Sequence, residues 1–178
     1  MKKLVSLLLV LTLSLIAVSA FAATGIGSIT TISGNDATDE KDGSATVNTT
    51  ICALTLDDEG KIVAVKFDVA QNKVGYDNAG KWIENESAKE AGYLTKVELG
   101  DDYSMKAVSE IGKEIYEQIA ALEEYCVGKT VEEVLNIKTF VKDDAHQNVP
   151  DEDDLKSVVT IDVGGYLAAL AKAGENAK

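Results

Sequence analysis

The stretch SATVNTTICALTLDDEGKIVAVKFDV, residues 44–69, decides the architecture. Its first half, Ser44 to Leu56, is rich in β-branched side chains: Thr46, Val47, Thr49, Thr50 and Ile51. Such side chains crowd a helical turn and fit a pleated surface. Asp57-Asp58-Glu59-Gly60 then supplies turn chemistry, with Gly60 taking the positive φ that closes the reversal. Lys61 to Val69 alternates, placing Val63, Val65, Phe67 and Val69 on one face and Lys66 and Asp68 on the other. Together they predict an antiparallel hairpin with one face on a core.

Upstream, residues 24 to 43 are rich in Gly, Thr, Ser and Asp. They hold one short strand, Gly27 to Ile32, and a polar loop through Asp42-Gly43. Downstream, Lys73 to Tyr76 and Lys81 to Ile83 flank Asn78-Ala79-Gly80, a second and shorter hairpin. The polar stretch Glu84 to Glu90 suggests one helical turn, and Tyr93 to Leu99 is either extended or loop. Ile111, Ile115, Ile119, Leu122 and Cys126 then form one apolar stripe, which predicts a helix from Ser109 to Cys126. Ser109 is its N-cap, Glu110 suits its positive end and Gly128 stops it. Thr130 to Glu133 is a capping box opening a short helix to about Ile137. Residues 142 to 154 read as an acidic loop containing Pro150, Ser157 to Val163 as a strand, and Tyr166 to Ala173 as the last helix. Strands and helices in separate blocks give an α+β class with one long amphipathic helix and two or three shorter ones.

The chain opens with an export leader. Lys2 and Lys3 precede an apolar run from Leu4 to Val18, and Ala20-Phe21-Ala22 offers the small residues a signal peptidase reads. The run is short for a membrane span. No cysteine follows it at once, so no lipid anchor is expected. The division is therefore 1–22 signal peptide, 23–43 N-terminal strand and polar loop, and 44–178 main domain. The mature protein is expected outside the cytoplasmic membrane, extracellular or on the wall or outer membrane face, and not membrane-embedded.

Charge narrows the partners. Seventeen basic residues, all lysine, face 30 acidic ones, for a net charge of −13. Loss of the leader makes the balance more negative still. Such a field repels nucleic acid and anionic lipid. With no arginine there is no guanidinium fork for bidentate phosphate capture. Cys52 and Cys126 are the only cysteines, and export leaves open whether they stay thiols or pair.

Motifs with chemistry are sparse. Gly128-Lys129-Thr130 looks like the end of a phosphate loop, but position 123 is Glu where that loop needs Gly, and a helix precedes it. Asp143, Asp144, Asp151, Glu152, Asp153 and Asp154 lack the spacing of a calcium loop and read as a solvated run, so no metal site is expected. His146, the single histidine, has no nucleophile at motif spacing, and no catalytic residue emerges. Asp101 and Asp102 read as polar helix entry. Tyr76, Trp82, Tyr93 and Tyr103 fall in the loop-rich middle, where flat rings can line a planar ligand or simply pack.

The order of these pieces resembles secreted FMN-binding-domain proteins of low-GC Gram-positive bacteria. Matching stretches include Asp42-Gly43 through Thr50, Asp58 to Ile62, Val69 to Gly75, Leu99 to Lys106, Ile111 to Gln118 and Val127 to Thr130. The resemblance spans roughly residues 42 to 173. It implies a twisted antiparallel sheet with helices, and a role in carrying flavin for envelope or extracellular electron transfer. Many members esterify FMN to the last residue of D-x-x-[ST]-G-A-[ST]. Here Asp154-Leu155-Lys156-Ser157-Val158-Val159-Thr160 keeps Asp, Ser and Thr but has Val at both the Gly and Ala positions. Consecutive β-branched residues favour a packed strand over a tight turn. The resemblance thus nominates Thr160, Ser157 and Asp154, and the placement of the aromatic residues adds Tyr103 and Tyr76, for non-covalent rather than covalent FMN. The expected partners are a small-molecule ligand or a redox protein. The chain is expected to be no enzyme, at most a redox carrier. The alternative is a flavin-free structural or interaction module of the envelope that has lost the cofactor site.

Overall fold

The computed structural model of the protein describes residues 22–85 and 92–178. The expected leader lies outside these except for Ala22, and so does the helical turn expected over Glu84–Glu90 except for its first two residues. The fold is α+β. Its centre is the expected hairpin: β2 (Gly43–Leu56) and β3 (Ile62–Tyr76) pair antiparallel, with Gly60 at φ 77 in the turn. β1 (Ala23–Asn35) runs well beyond Gly27–Ile32 and pairs with β2 from Ala23↔Leu56 to Asn35↔Ser44. The second hairpin is β3 itself, carried on to Tyr76 and returning as β4 (Trp82–Ile83). The sheet order is β1-β2-β3-β4.

One residue departs from strict alternation. The register shifts at Thr55/Leu56, so Thr55 pairs with Ala64 while Leu56 pairs with Ile62. Val63 is the extra residue and points outward, 48% exposed, while Ile62 takes its inner place and is fully buried. A bulge of this kind reverses the side-chain parity beyond it. Val65, Phe67 and Val69 keep the expected inner face.

Among the described residues the helices are α1 (Lys96–Leu99), α2 (Ile115–Cys126), α3 (Val131–Leu135) and α4 (Gly164–Asn176), with a 3₁₀ turn at Gly100–Tyr103. α1 lies where an extended segment or loop was expected, and Thr95 with Glu98 makes a full capping box for it. α2 starts six residues later than Ser109, because Gly112 takes φ 62 and Glu114 becomes the cap, in a box with Glu117. Thr130 and Glu133 cap α3 as expected. A small ladder pairs β5 (Thr139–Phe140), just before the acidic loop, with β6 (Val149–Pro150) inside it.

Ser157–Val163 is not a strand. Val159, Ile161 and Val163 are buried at alternate positions, but no neighbouring strand receives the backbone. The Val158 and Val159 N–H groups donate to the Leu155 carbonyl, and Val163 N–H donates to the Asn148 carbonyl. β-branched residues here fill a core from a loop.

The inner sheet face brings Cys52, Leu54, Ile62, Val65, Phe67 and Val69 against Ile115, Ile119, Leu122 and Cys126 of α2 and against Tyr166, Ala169, Leu170 and Ala173 of α4. Cys52 and Cys126 are buried free thiols. α4 lies so close on β1 that a Cβ at Gly25 or Gly27 would overlap the carbonyl oxygens of Ala173 and Ala169. Its tail then closes the strand's edge. Thr24 and Lys178 exchange two backbone hydrogen bonds, 3.2 and 3.1 Å, and Asn176 Nδ2 donates to the Ile26 carbonyl. Among the described residues no helix is long and apolar enough to cross a membrane.

Candidate functional site

Beyond the core, the inner face of the sheet turns from apolar to polar. The row Ile29↔Thr50↔Val69 is followed by Thr31↔Asn48, and Gln71 Nε2 donates to Asn48 Oδ1 at 2.8 Å. This surface is the floor of a cleft of about 570 Å³. Its walls come from three places: Lys96, Tyr103 and Met105 after β4; the loop Ala145–Asn148; and Ile161, Asp162, Gly165 and Tyr166 at the start of α4.

Each wall is pinned by a named side chain. Glu114, 3% exposed, accepts from the Met105 and Lys106 N–H groups at 2.9 Å each, which fixes the loop carrying Tyr103 and Met105. One turn along α2, fully buried Gln118 presents Oε1 to the Thr160 N–H at 2.8 Å and to the Thr160 hydroxyl at 3.3 Å. Its Nε2 donates to Ser109 Oγ and the Lys113 carbonyl. Asp162 joins the other two walls: Oδ1 accepts from Gly164 N–H and Oδ2 from Asn148 N–H, both at 2.8 Å. At the opposite edge of β3, Glu123 Oε1 accepts the Phe67 N–H at 2.8 Å while Oε2 takes Lys66. Glu114 and Gln118 stand at i, i+4 beside the apolar stripe, so buried polar groups here serve backbone that no ladder reaches.

Two tyrosines define the cleft's chemistry. Tyr166 is 5% exposed, with its ring edge-on to Phe67 at 5.6 Å between centroids and 83° between planes. Its hydroxyl has no hydrogen-bond partner among the described residues and reaches solvent through the cleft it lines. Burial, and then Tyr103, Asp68 and Asp162, hold that phenol above its usual value, so it remains a neutral donor and acceptor. Tyr103 is half-buried, and Lys96 Nζ sits 5.2 Å from its ring centroid. His146 closes one side. Its Nδ1 lies 2.7 and 2.9 Å from the two Asp143 carboxylate oxygens, and that bond keeps Asp143 ionised below its ordinary range.

The residues nominated from sequence scatter. Tyr103 is in the cleft. Thr160 is half-buried behind Ile161 and Asp162, outside the lining, with its hydroxyl held by Gln118. Ser157 and Asp154 are exposed on the preceding turn. Tyr76 lies on β3 beyond the cleft; its ring covers Gly43 and its hydroxyl donates to the Asn35 carbonyl at 2.9 Å. The sequence reading missed Tyr166, Lys96, Gln118 and Glu114, and set His146 aside. Only Gln118 carried a signal: an amide one residue from the apolar stripe, on the side a helix buries.

No family model matches the chain, and no solved structure matches it. A curated relative, a chlorophenol reductase of Desulfitobacterium hafniense, is 41% identical over 98 residues, which cover 49% of this chain and 29% of that protein. The chain thus spans less than a third of that relative's length.

Proposed function

We propose that the cleft binds a planar aromatic redox molecule of the flavin class, non-covalently, and that the protein serves as an electron carrier exported to the cell envelope. The observation carrying this reading is Tyr166: a buried ring whose hydroxyl has no protein partner and faces the cleft. A solvent-reached hydroxyl that no protein group engages is available to a ligand's polar edge. Tyr103 supplies an aromatic face, Lys96 a positive charge, and Thr50 and Asn48 hydrogen-bonding groups on the floor. The volume suits a tricyclic ring. The name of the partial relative, a reductase, fits a redox role. Flavin, when bound, would supply the electron chemistry; Tyr103 and Tyr166 would orient it and the apolar back wall would exclude water. Thr160 has no part in covalent attachment in this reading, since Gln118 holds its hydroxyl away from the lining.

Titrating FMN with the protein and following flavin fluorescence tests the reading. Binding is expected to quench it. Tyr103→Ala should weaken affinity roughly five-fold, the equivalent of about 1 kcal/mol of aromatic contact. Tyr166→Phe should weaken it while leaving the fold intact. Unchanged fluorescence at high protein concentration would instead favour a flavin-free interaction module, the reading that Val158 and Val159 support.

A further inference from the structure

We propose that His146, oriented by Asp143, is the proton-exchanging group of the cleft and passes a proton between its Nε2 and the ring bound there. This rests on the flavin reading above.

Three observations carry it. First, His146 lines the cleft, and its Nδ1 is committed to the Asp143 carboxylate, so Nε2 is the nitrogen left to meet a ligand. A base within hydrogen-bond reach and oriented by a third group is the arrangement proton transfer requires. Second, the loop is fixed at both ends. Lys142 N–H donates to the His146 carbonyl at 2.9 Å, His146 N–H donates to Asp143 Oδ1 at 2.9 Å, and Asn148 is tied to Asp162 and Val163. The imidazole is therefore held at one place on the wall. Third, the other titratable groups around the cleft are otherwise engaged. Lys96 on α1 lies against the Tyr103 ring, burial holds the Tyr166 phenol on α4 above its ordinary value, and Asp162 is engaged by two N–H groups. Asp143, on the loop itself, is kept ionised. Histidine is the side chain whose ordinary value lies in the physiological range.

The step balances simply. Two electrons enter the ring from an external low-potential donor, dithionite in the test below. The Nε2–H bond of the imidazolium breaks and an N–H bond forms on the ring. The neutral imidazole regains its proton from water at the cleft mouth, while Asp143 remains a carboxylate throughout.

As the chain has a single histidine, its ring protons can be followed by NMR without ambiguity. His146 is titrated in the full chain alone, with oxidised FMN, and with FMN reduced by dithionite. The expected result is an upward shift of its pKa when FMN is reduced, since a more negative ring favours the imidazolium. The midpoint potential of bound FMN between pH 5 and 8 should correspondingly take up one further proton per two electrons inside that window. His146→Gln should lose this extra proton, and Asp143→Asn should shrink it. A histidine titration indifferent to FMN reduction, or a His146→Gln profile matching wild type with FMN bound, overturns the inference and leaves flavin binding standing. Failure of the wild-type chain to bind FMN at all overturns the flavin reading itself.

Discussion

Gln118 touches no solvent and carries no charge, yet its amide ties the loop holding Thr160 to the turn at Ser109 and Lys113. Gln118→Leu keeps the volume and strands the Thr160 N–H without an acceptor. The expected cost is about 1–3 kcal/mol, seen as a lower urea midpoint at unchanged slope. The two thiols make a different statement at the same scale. Burial pushes Cys52 and Cys126 from their ordinary value of 9.0 up to about 12; Glu123 adds to the first and Cys52 to the second. Between those values the unfolded chain ionises before the folded one, so unfolding releases protons and stability falls as pH rises. Below pH 9 the thiols' contribution is whole. Urea melts from pH 8 to 11 should show this decline, and a Cys52→Ala, Cys126→Ala double variant should show it less steeply, from a lower starting stability at pH 7.

Among the elements, α4 and β1 are joined by an absence of side chains. Gly27→Ala would drive a Cβ into the Ala169 carbonyl, which is backbone and has nowhere to go. Roughly 3 kcal/mol of destabilisation is expected, measurable by thermal melts. This contact was not legible beforehand, since Gly27 read only as the first residue of a short strand and Gly25 as part of the Gly-rich stretch before it. The hairpin was legible because alternation and turn chemistry both lie within 26 consecutive residues. Its bulge was not, as inserting one residue leaves Val63 looking as apolar as its neighbours. The early start assigned to α2 came from trusting Ile111 as part of the stripe over Gly112 as a break; the backbone followed the glycine. Ser157–Val163 shows the limit from the other side. The β-branched run does pack inward at Val159, Ile161 and Val163, but a strand also needs a neighbour, and that depends on the whole topology. The candidate cleft was legible only at Tyr103, because its remaining lining is drawn from all three long strands, α1, α2, the start of α4 and two loops.

For the molecule as a whole, the dominant fact is a charge of −13 carried without arginine. The field disfavours adding electrons to anything held inside it. If FMN is bound, its midpoint potential should rise as sodium chloride is raised from 20 to 500 mM, because screening over a few ångströms removes that penalty. A potential indifferent to salt would mean that local groups, Lys96 and His146 first among them, set it instead.

The contact between β1 and α4 also bears on the order of events during synthesis. The strand emerging earliest has glycine at the two inward positions where β2 and β3 carry Cys52, Leu54, Val65 and Phe67. It has little of its own to bury, and the groups that fasten its free edge, Lys172, Asn176 and Lys178, emerge about 150 residues afterwards. A nascent chain therefore lacks its closing latch until residues 164–178 arrive. Until then it stays open along one side, with the β1 carbonyls at Ile26 and Ser28 lacking the side chains that later cover them.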